Sequence, residues 1–474
     1  MNRIAGLETE YGCLVPDSPA FPSVVHAVRD WVFAQEGIGL VDLHQRDWDE
    51  PAGNGGFLFN GGRLYVDMGH LEYCTPECRS LMDVLRYDRA GDLILNQGLD
   101  ALGLSSQASF IRNNIDHYSG ATFGCHENYL VRRTAPLTER NVKSLLAFLT
   151  LRVLYSGAGR VGAARNADPR THDAGLSSGC PFQMSQRADY INNDLFEWVQ
   201  FNRAIINTRD EPLADGSRFR RLHLLHGDTS VLPASLLLKV GTTALVLDLL
   251  EINALPEISL ADPVATLHQL SRQTRGPWLV TMEDGGHEDA VELLHRYAEA
   301  ARQKLSRRDT ETDFLVEFWT ETIELLPSVA EALVGRIDWV TKKWLFERFM
   351  EEEKISWDDP WLKSQDLEFH HTQAARSLGL ALERTPAAWS LGRDDVTAAI
   401  RKPPSNTRAQ ARSFGMSAFR EKTLPYYLDW EMIGLEGGPV LALDDPFDSD
   451  PKAVQSWIKD LNITPPTTRK GEKR

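Results

Sequence analysis

Short stretches in which polar and apolar residues alternate are separated along this chain by longer stretches with apolar residues at helical spacing. The sharpest alternation lies in Asn60–Cys78, NGGRLYVDMGHLEYCTPEC. Arg63, Tyr65 and Asp67 fall on one face of a predicted strand, and Leu64 and Val66 on the other, the period of two that a half-buried strand shows. Asn60, Gly61 and Gly62 predict a turn leading into it, and Glu72 follows Asp67 by five residues. A first strand is predicted over Arg3 to Tyr11, with Glu8 and Glu10 sharing a face and Gly6 and Gly12 at its flanks. Ala108 to Arg112 predicts another. Beyond it, residues 120 to 133 place His126, Glu127 and Asn128 at the entry to a strand that ends in Leu130 and Val131. In residues 219 to 228, Arg221 and His223 alternate with Leu222 and Leu224.

The helical periods fall between these strands. Val24 to Gln35, Ser80 to Gly98, Val142 to Tyr155 and the apolar run Leu236 to Leu250 predict helices, and residues 262 to 350 read as amphipathic helices serving as scaffold. Residues 37 to 56, with Trp48, Asp49 and Glu50, read as a flexible connection, and 156 to 180 as a mobile loop. KPPSN at 402 to 406 marks a boundary. The expected organisation is a catalytic domain over 1–401, a small C-terminal domain over 402–462 and a disordered polar tail over 463–474. No internal repeat is visible, and strands mixed with helices give an α+β class.

Composition narrows the options. With 25% charged and 42% hydrophobic residues the chain reads as an ordinary globular enzyme. A formal net charge of −16 argues against a nucleic-acid partner. Cysteines 13, 74, 78, 125 and 180 form an odd set without disulfide or zinc spacing, as expected for reduced thiols. MNRIAGLETEYG lacks a signal peptide's apolar core, and no run reaches the roughly 18 apolar residues of a membrane helix. No membrane association is therefore expected, and a cytoplasmic location is.

The polar strand faces carry the chemistry. Two glutamates on one strand face are normally solvent-exposed, but the glycines flanking Glu8 and Glu10 permit close backbone approach. Carboxylates gathered beside arginines suit a nucleoside triphosphate with magnesium, which takes oxygen ligands, while arginines offer planar donors to phosphate. Arg209 in INTRDEPLAD, Arg221 and His126 are candidate phosphate-binding groups. GxxxxGK[ST] does not occur, so a P-loop site is excluded.

GLETEYG, NGGRLYVDMGHLEYCTPEC, GCHENYL, SQRADYI, INTRDEPLAD and YLDW, in this order over nearly the whole chain, resemble the signature segments of the Pup ligase and Pup deamidase/depupylase family. The resemblance implies a carboxylate–amine ligase fold related to glutamine synthetase, in which a curved antiparallel sheet cradles ATP and magnesium. It also implies two kinds of partner: a small disordered Pup-like modifier ending in Glu or Gln, and lysine-bearing substrate proteins. Carried over position by position, Glu8, Tyr65 and Glu72 match the family's magnesium ligands, Arg63, Thr75 and Trp430 its ATP contacts, and Asp67 its catalytic aspartate. Glu10, beside Glu8, is a further candidate ligand.

The family runs two opposite reactions. In the ligase, Asp67 would act as general base on the attacking lysine. In the deamidase/depupylase it would attack the amide or activate water. GLETEYG, GCHENYL, IDWVTKKWLFERF, LDDPF and a short connection before Asn60 resemble the ligase. The five-residue Asp67–Glu72 spacing, FQMSQRADYI and GTTALVLDLLE resemble the depupylase. The missing insertion before Asn60 tips the expectation to an ATP-dependent isopeptide ligase. A ligase joining small amines to glutamate stays open as a second enzyme reading.

Overall fold

The alternating stretches pair into one large sheet. Its strands are β1 (Ala5–Leu14), β2 (Gly39–Val41), β3 (Gly55–Leu58), β4 (Arg63–Asp67), β5 (His70–Cys74), β6 (Ser109–Ile111), β7 (Cys125–Arg132), β10 (Asn193–Phe196), β11 (Ala204–Asn207) and β12 (Phe219–Leu224). Between β7 and β10, β8 (Arg160–Val161) and β9 (Phe182–Gln183) form a separate pair. The spatial order is β10-β11-β12-β7-β1-β5-β4-β3-β2, with β6 also paired to β1. Every pairing in the sheet is antiparallel except β10 with β11, so the expected antiparallel sheet carries one parallel edge. This computed structural model describes residues 1, 3–15, 21–46, 50–117, 121–163, 180–197, 203–329 and 331–461. Trp48, Asp49, most of the loop predicted over 156–180 and the tail predicted over 463–474 lie outside the described residues.

Directly opposed residues of an antiparallel ladder point to the same face. Leu7, Tyr11, Leu64, Val66, Leu71, Tyr73, Tyr129 and Val131 share the reverse face and are buried. The helices Leu81–Ala101 and Pro233–Glu251 pack against it. Contact there is close: a Cβ on Gly91 would come within 2.4 Å of the Tyr73 ring. The Pro233–Glu251 helix corrects the expectation that no run has membrane-spanning length. It is long and apolar enough by composition, yet 94% of its apolar window is buried inside the protein. It is a core helix, apolar all round because it is covered all round.

The glycine-rich connection before Asn60 is not a loose loop. Gly55 and Gly56 lie in β3, and a Cβ on Gly56 would come within 2.0 Å of the Leu40 carbonyl oxygen on β2. The glycines that read as flexibility are there for close strand approach. The predicted helix over Val142 to Tyr155 divides at Arg152 into Glu139–Leu151 and Val153–Ser156.

After the helical scaffold and the hairpin β13 (Leu279–Thr281) with β14 (His287–Asp289), the chain forms the C-terminal unit. This consists of helix Ala409–Glu421, the sheet β15 (Tyr426–Leu428), β16 (Met432–Leu435) and β17 (Val440–Ala442), and helix Lys452–Asp460. Its core of Met416, Phe419, Leu428 and Ile433 is continuous with Phe57 and Phe59 at the β3 end of the main sheet. Buried Glu77 fastens the junction, accepting from Arg408 Nε at 2.7 Å and from Arg412 Nη1 and Nη2 at 3.0 and 2.7 Å.

Candidate active site

Strand register gathers the polar residues on the open face. Glu8 is opposed by Cys74 on β5 and by His126 on β7; Glu10 is opposed by Glu72. On β4, Tyr65 is opposed by Glu72, Arg63 by Cys74 and Asp67 by His70. On β12, His223 is opposed by Asn128. Met68 and Gly69, both left-handed with φ of 42° and 93°, turn β4 into β5 in two residues. That tight turn is the structural cause of the five-residue Asp67–Glu72 spacing.

Two clusters result. Glu8, His126 and His223 form one, and Glu10, Asp67 and Glu72 the other; within each, potential ligand atoms lie within 4.8 Å of one another. Glu8 accepts from Asn128 Nδ2 at 2.9 Å, and its other oxygen lies 3.1 Å from His126 Nδ1 and 3.5 Å from His223 Nε2. Burial works to raise the Glu8 pKa, but hydrogen bonds and charge from the two histidines hold it well below the usual carboxylate value. Glu72 goes the other way: burial, then the carboxylates of Glu8, Glu10 and Asp67, push it well above the usual value. The Tyr65 hydroxyl donates to Glu72 Oε1 at 2.6 Å, and burial and Glu72 raise its own pKa so that it stays a neutral phenol.

Beside these clusters a cavity of about 450 Å³ opens between the sheet face, the loop 209–213 and the C-terminal unit. Glu8, Arg63, Tyr65, Thr75, Arg209, Arg221, His223 and Trp430 line it. Its size suits a small-molecule ligand. Arg221 reaches Asn128 Oδ1 at 3.3 Å and lies 3.5 Å from Glu211. Thr75 accepts from the Leu7 amide at 3.0 Å, joining β1 to the end of β5. Trp430 packs edge-on against Phe57 and beneath the Arg412 guanidinium.

The structure brings most of the residues singled out in the sequence around the open face, with four adjustments. The four expected magnesium ligands do not form one group: Glu8 stands with the histidines, and Glu10 and Glu72 stand with Asp67, and none of Glu10, Asp67 and Glu72 lines the cavity. His126 does not stand among phosphate-facing cations, because the β1–β7 register sets it directly against Glu8. Arg63 is already paired, donating to Asp42 at 3.0 Å and Glu50 at 2.8 Å and lying over the Tyr65 ring. Arg209 is half-exposed at the rim, bound to Glu211 at 2.6 Å.

Several residues were missed or left without a role. Asn128 shares the period-two face of His126, a signal that was present in the sequence. Arg187 is buried and donates to the carbonyls of Phe123 and Leu225; burial and Arg203 lower its pKa while Glu10 opposes them. Asp42 and Arg46 lie in the connection read as flexible, and nothing local marks them.

Acidic clusters suited to cations, next to a cavity walled by arginines and an indole, define a nucleotide-using enzyme built on an antiparallel sheet rather than on a P-loop. Residues 3–434 match the family described as Pup-ligase protein. The chain is 34% identical over 472 residues to the Pup–protein ligase of Micrococcus luteus, covering 96% of this chain and 97% of that protein. It is 31% identical over 484 residues to that of Corynebacterium glutamicum, covering 98% and 97%. Among solved structures, it superposes with TM-score 0.81 and 29% identity on the ligase PafA in complex with the prokaryotic ubiquitin-like protein Pup, covering 97% of this chain and 93% of that one. On PafA in complex with ADP the TM-score is 0.76 at 29% identity, with 95% and 96% coverage. The chain belongs to the Pup ligase family.

Proposed function

We propose that this protein is an ATP- and magnesium-dependent isopeptide ligase. It activates the γ-carboxylate of the C-terminal glutamate of a small Pup-like modifier and joins it to substrate lysines, marking them for a proteasome. One observation carries the reading: the carboxylate cluster of Asp67 is joined, through the Tyr65 hydroxyl that donates to Glu72, to a cavity lined by Tyr65, Arg63, Arg221, Thr75 and Trp430.

The residues present fit magnesium. Glu10, Asp67 and Glu72 bring potential oxygen ligands within 4.8 Å of one another, and burial and then the neighbouring carboxylates raise Glu72. Glu10 and Glu72, with the Tyr65 hydroxyl beside them, would hold one cation, and Glu8, beside His126 and His223, would serve a second. When bound, magnesium neutralises triphosphate oxygens and the charge that develops during transfer.

In the first step a γ-carboxylate oxygen of the modifier attacks the γ-phosphorus of ATP. The bond to the ADP oxygen breaks, leaving a glutamyl phosphate. Arg221 and Arg209 supply donors to phosphate oxygens from the loop side of the cavity, and Arg63 does so from the sheet. In the second step the lysine Nζ attacks the acyl carbon, Asp67 takes a proton from the amine, and phosphate leaves. Asp67 is suited to this role because the Met68–Gly69 turn fixes it at the strand end beside the cluster.

The deciding assay incubates the pure protein with ATP, magnesium and a modifier ending in Glu or Gln, with and without added protein substrate. ATP-dependent conjugates support the reading. The short Asp67–Glu72 spacing favours the hydrolytic alternative, in which Asp67 is nucleophile or water activator; ammonia release or cleavage of a preformed conjugate without conjugation would establish it instead. Glutamylation of small amines only would overturn both.

A further inference from the structure

We propose that Asp42 is a positioning residue for nucleotide binding and that Arg46 is a nucleotide-contacting residue of the same cavity. The inference rests on the nucleotide reading above and assigns roles to two residues outside the strand motifs. Asp42 is 4% exposed and follows directly on β2, where its amide donates to the Gly55 carbonyl at 2.7 Å. Its carboxylate serves two guanidinium groups. Oδ2 accepts from Arg63 Nη2 at 3.0 Å and from Arg46 Nε at 2.9 Å, and Oδ1 accepts from Arg46 Nη2 at 3.2 Å.

Arg46 continues the chain of charges across the cavity. It donates to the Leu428 carbonyl and lies 3.1 Å from Asp429 Oδ2, on the turn that carries Trp430. Its guanidinium also sits over the Phe57 ring at 5.2 Å. Arg46, Arg63, Asp429 and Trp430 all line the cavity. One carboxylate thus sets the cation on β4 and, through Arg46, the indole of the C-terminal unit. These two walls belong to segments more than 360 residues apart (63 and 430). Two guanidiniums on one buried carboxylate hold each other's geometry, because moving either leaves charge uncompensated.

The arrangement makes two demands. Loss of either Asp42 or Arg46 breaks the same link, so their effects on nucleotide affinity must overlap rather than add. And because the link runs along the arginine and indole wall of the cavity, the loss must fall on the nucleotide rather than on the modifier. The test measures ADP affinity by calorimetry together with KM for ATP and for the modifier, in Asp42→Asn, Arg46→Met, Arg46→Lys and the Asp42→Asn/Arg46→Met double variant. Each loss variant is expected to weaken ADP binding by about tenfold, the scale of one charge-assisted hydrogen bond. KM for the modifier should stay within about twofold and the double variant should lose less affinity than the two single losses combined. Arg46→Lys, which keeps the charge but not the fork, should recover only part of the affinity.

Unchanged ADP affinity in Arg46→Met, additive losses in the double variant, or a loss of modifier KM as large as that for ATP would each overturn the proposal. If Asp42→Asn does not fold, the Arg46 pair decides alone, since Arg46 lies on a connection rather than in the core. Failure of the unaltered protein to bind ADP would overturn the nucleotide reading itself, which is a different outcome from any of these.

Discussion

Glu77→Gln tests how the nucleotide cavity is held shut. Glu77 is buried at the junction between the main sheet and the C-terminal unit, and three guanidinium nitrogens donate to it. Burial works to raise its pKa, and Arg412 and then Arg408 overcome that, bringing it from an ordinary 4.5 to about 2. At about 1.4 kcal/mol per decade of acidity, this difference stabilises the folded state by about 3 kcal/mol near neutral pH. The substitution also leaves two arginines facing a neutral amide, and breaking a buried pair from one side costs about 3–5 kcal/mol. The expected loss is therefore about 3 kcal/mol at pH 7, read from the urea midpoint at unchanged slope. The sign with pH is fixed by the depressed pKa. The contribution is complete above about 4.5 and disappears as pH falls towards about 2, so the two proteins should converge on acidification. Because Arg412 also lies over Trp430 and donates to its carbonyl at 2.8 Å, ADP affinity should fall along with stability. A difference below about 1 kcal/mol at pH 7, or one that persists unchanged through the acid range, would refute the reasoning.

Three further substitutions probe the site and its support. Asp67→Asn should reduce conjugation by at least about a hundredfold, the scale of a lost general base, while ADP affinity measured by calorimetry is retained; retained turnover would remove Asp67 from its role. Tyr65→Phe removes the hydroxyl that donates to Glu72 at 2.6 Å and should raise the magnesium concentration needed for half-maximal activity by several-fold in a metal titration; an unchanged requirement would detach Tyr65 from the cation. Gly91→Ala puts a methyl 2.4 Å from the Tyr73 ring and should cost about 1–3 kcal/mol of stability in thermal or urea unfolding; no loss would mean that the helix and β5 can part without cost.

Legibility in the sequence followed the range of the interactions. The period-two faces of β4, β1 and β12 are local patterns, so Arg63, Tyr65, Asp67, Glu8, Glu10, Arg221 and His223 could be read as strand faces before their pairing was known. The apolar helix Pro233–Glu251 was equally plain, within three residues at its start and one at its end. What could not be read was which face met which. The division of Glu8 from Glu10 and Glu72 depends on the register of β1 against β7 and β5, set between residues more than sixty positions apart (8 and 74). Asp42 gave no signal because a single acid in a glycine-rich connection has no period. Its meaning comes from Arg63 on β4, beyond the intervening β3, and from a turn near the other end of the chain. The glycines of β3 were read for flexibility because sequence shows the freedom of a glycine but not the carbonyl oxygen pressed against it.

The two sides of the sheet also differ in how they treat charge, and that difference separates structural from functional groups better than burial does. Behind the sheet the charges close on themselves. Glu127 is held at about 2 by Arg152, against the burial that would raise it, with bonds of 2.6 and 2.9 Å, and Arg112 bridges Asp88 and Asp92 at 2.7 and 2.8 Å. Each acid there has its cation, as a buried ion pair must if it is not to cost the fold. On the open face Glu72 is pushed up by burial and by the neighbouring acids, while Arg187, which donates to the carbonyls of Phe123 and Leu225, is pushed down by burial and Arg203. Glu10, Asp67 and Glu72 crowd three carboxylates together on this face, a concentration of negative charge that a bound cation would relieve. A cation carried in with a nucleotide would relieve that crowding, so the repulsion that weakens the free site would favour filling it.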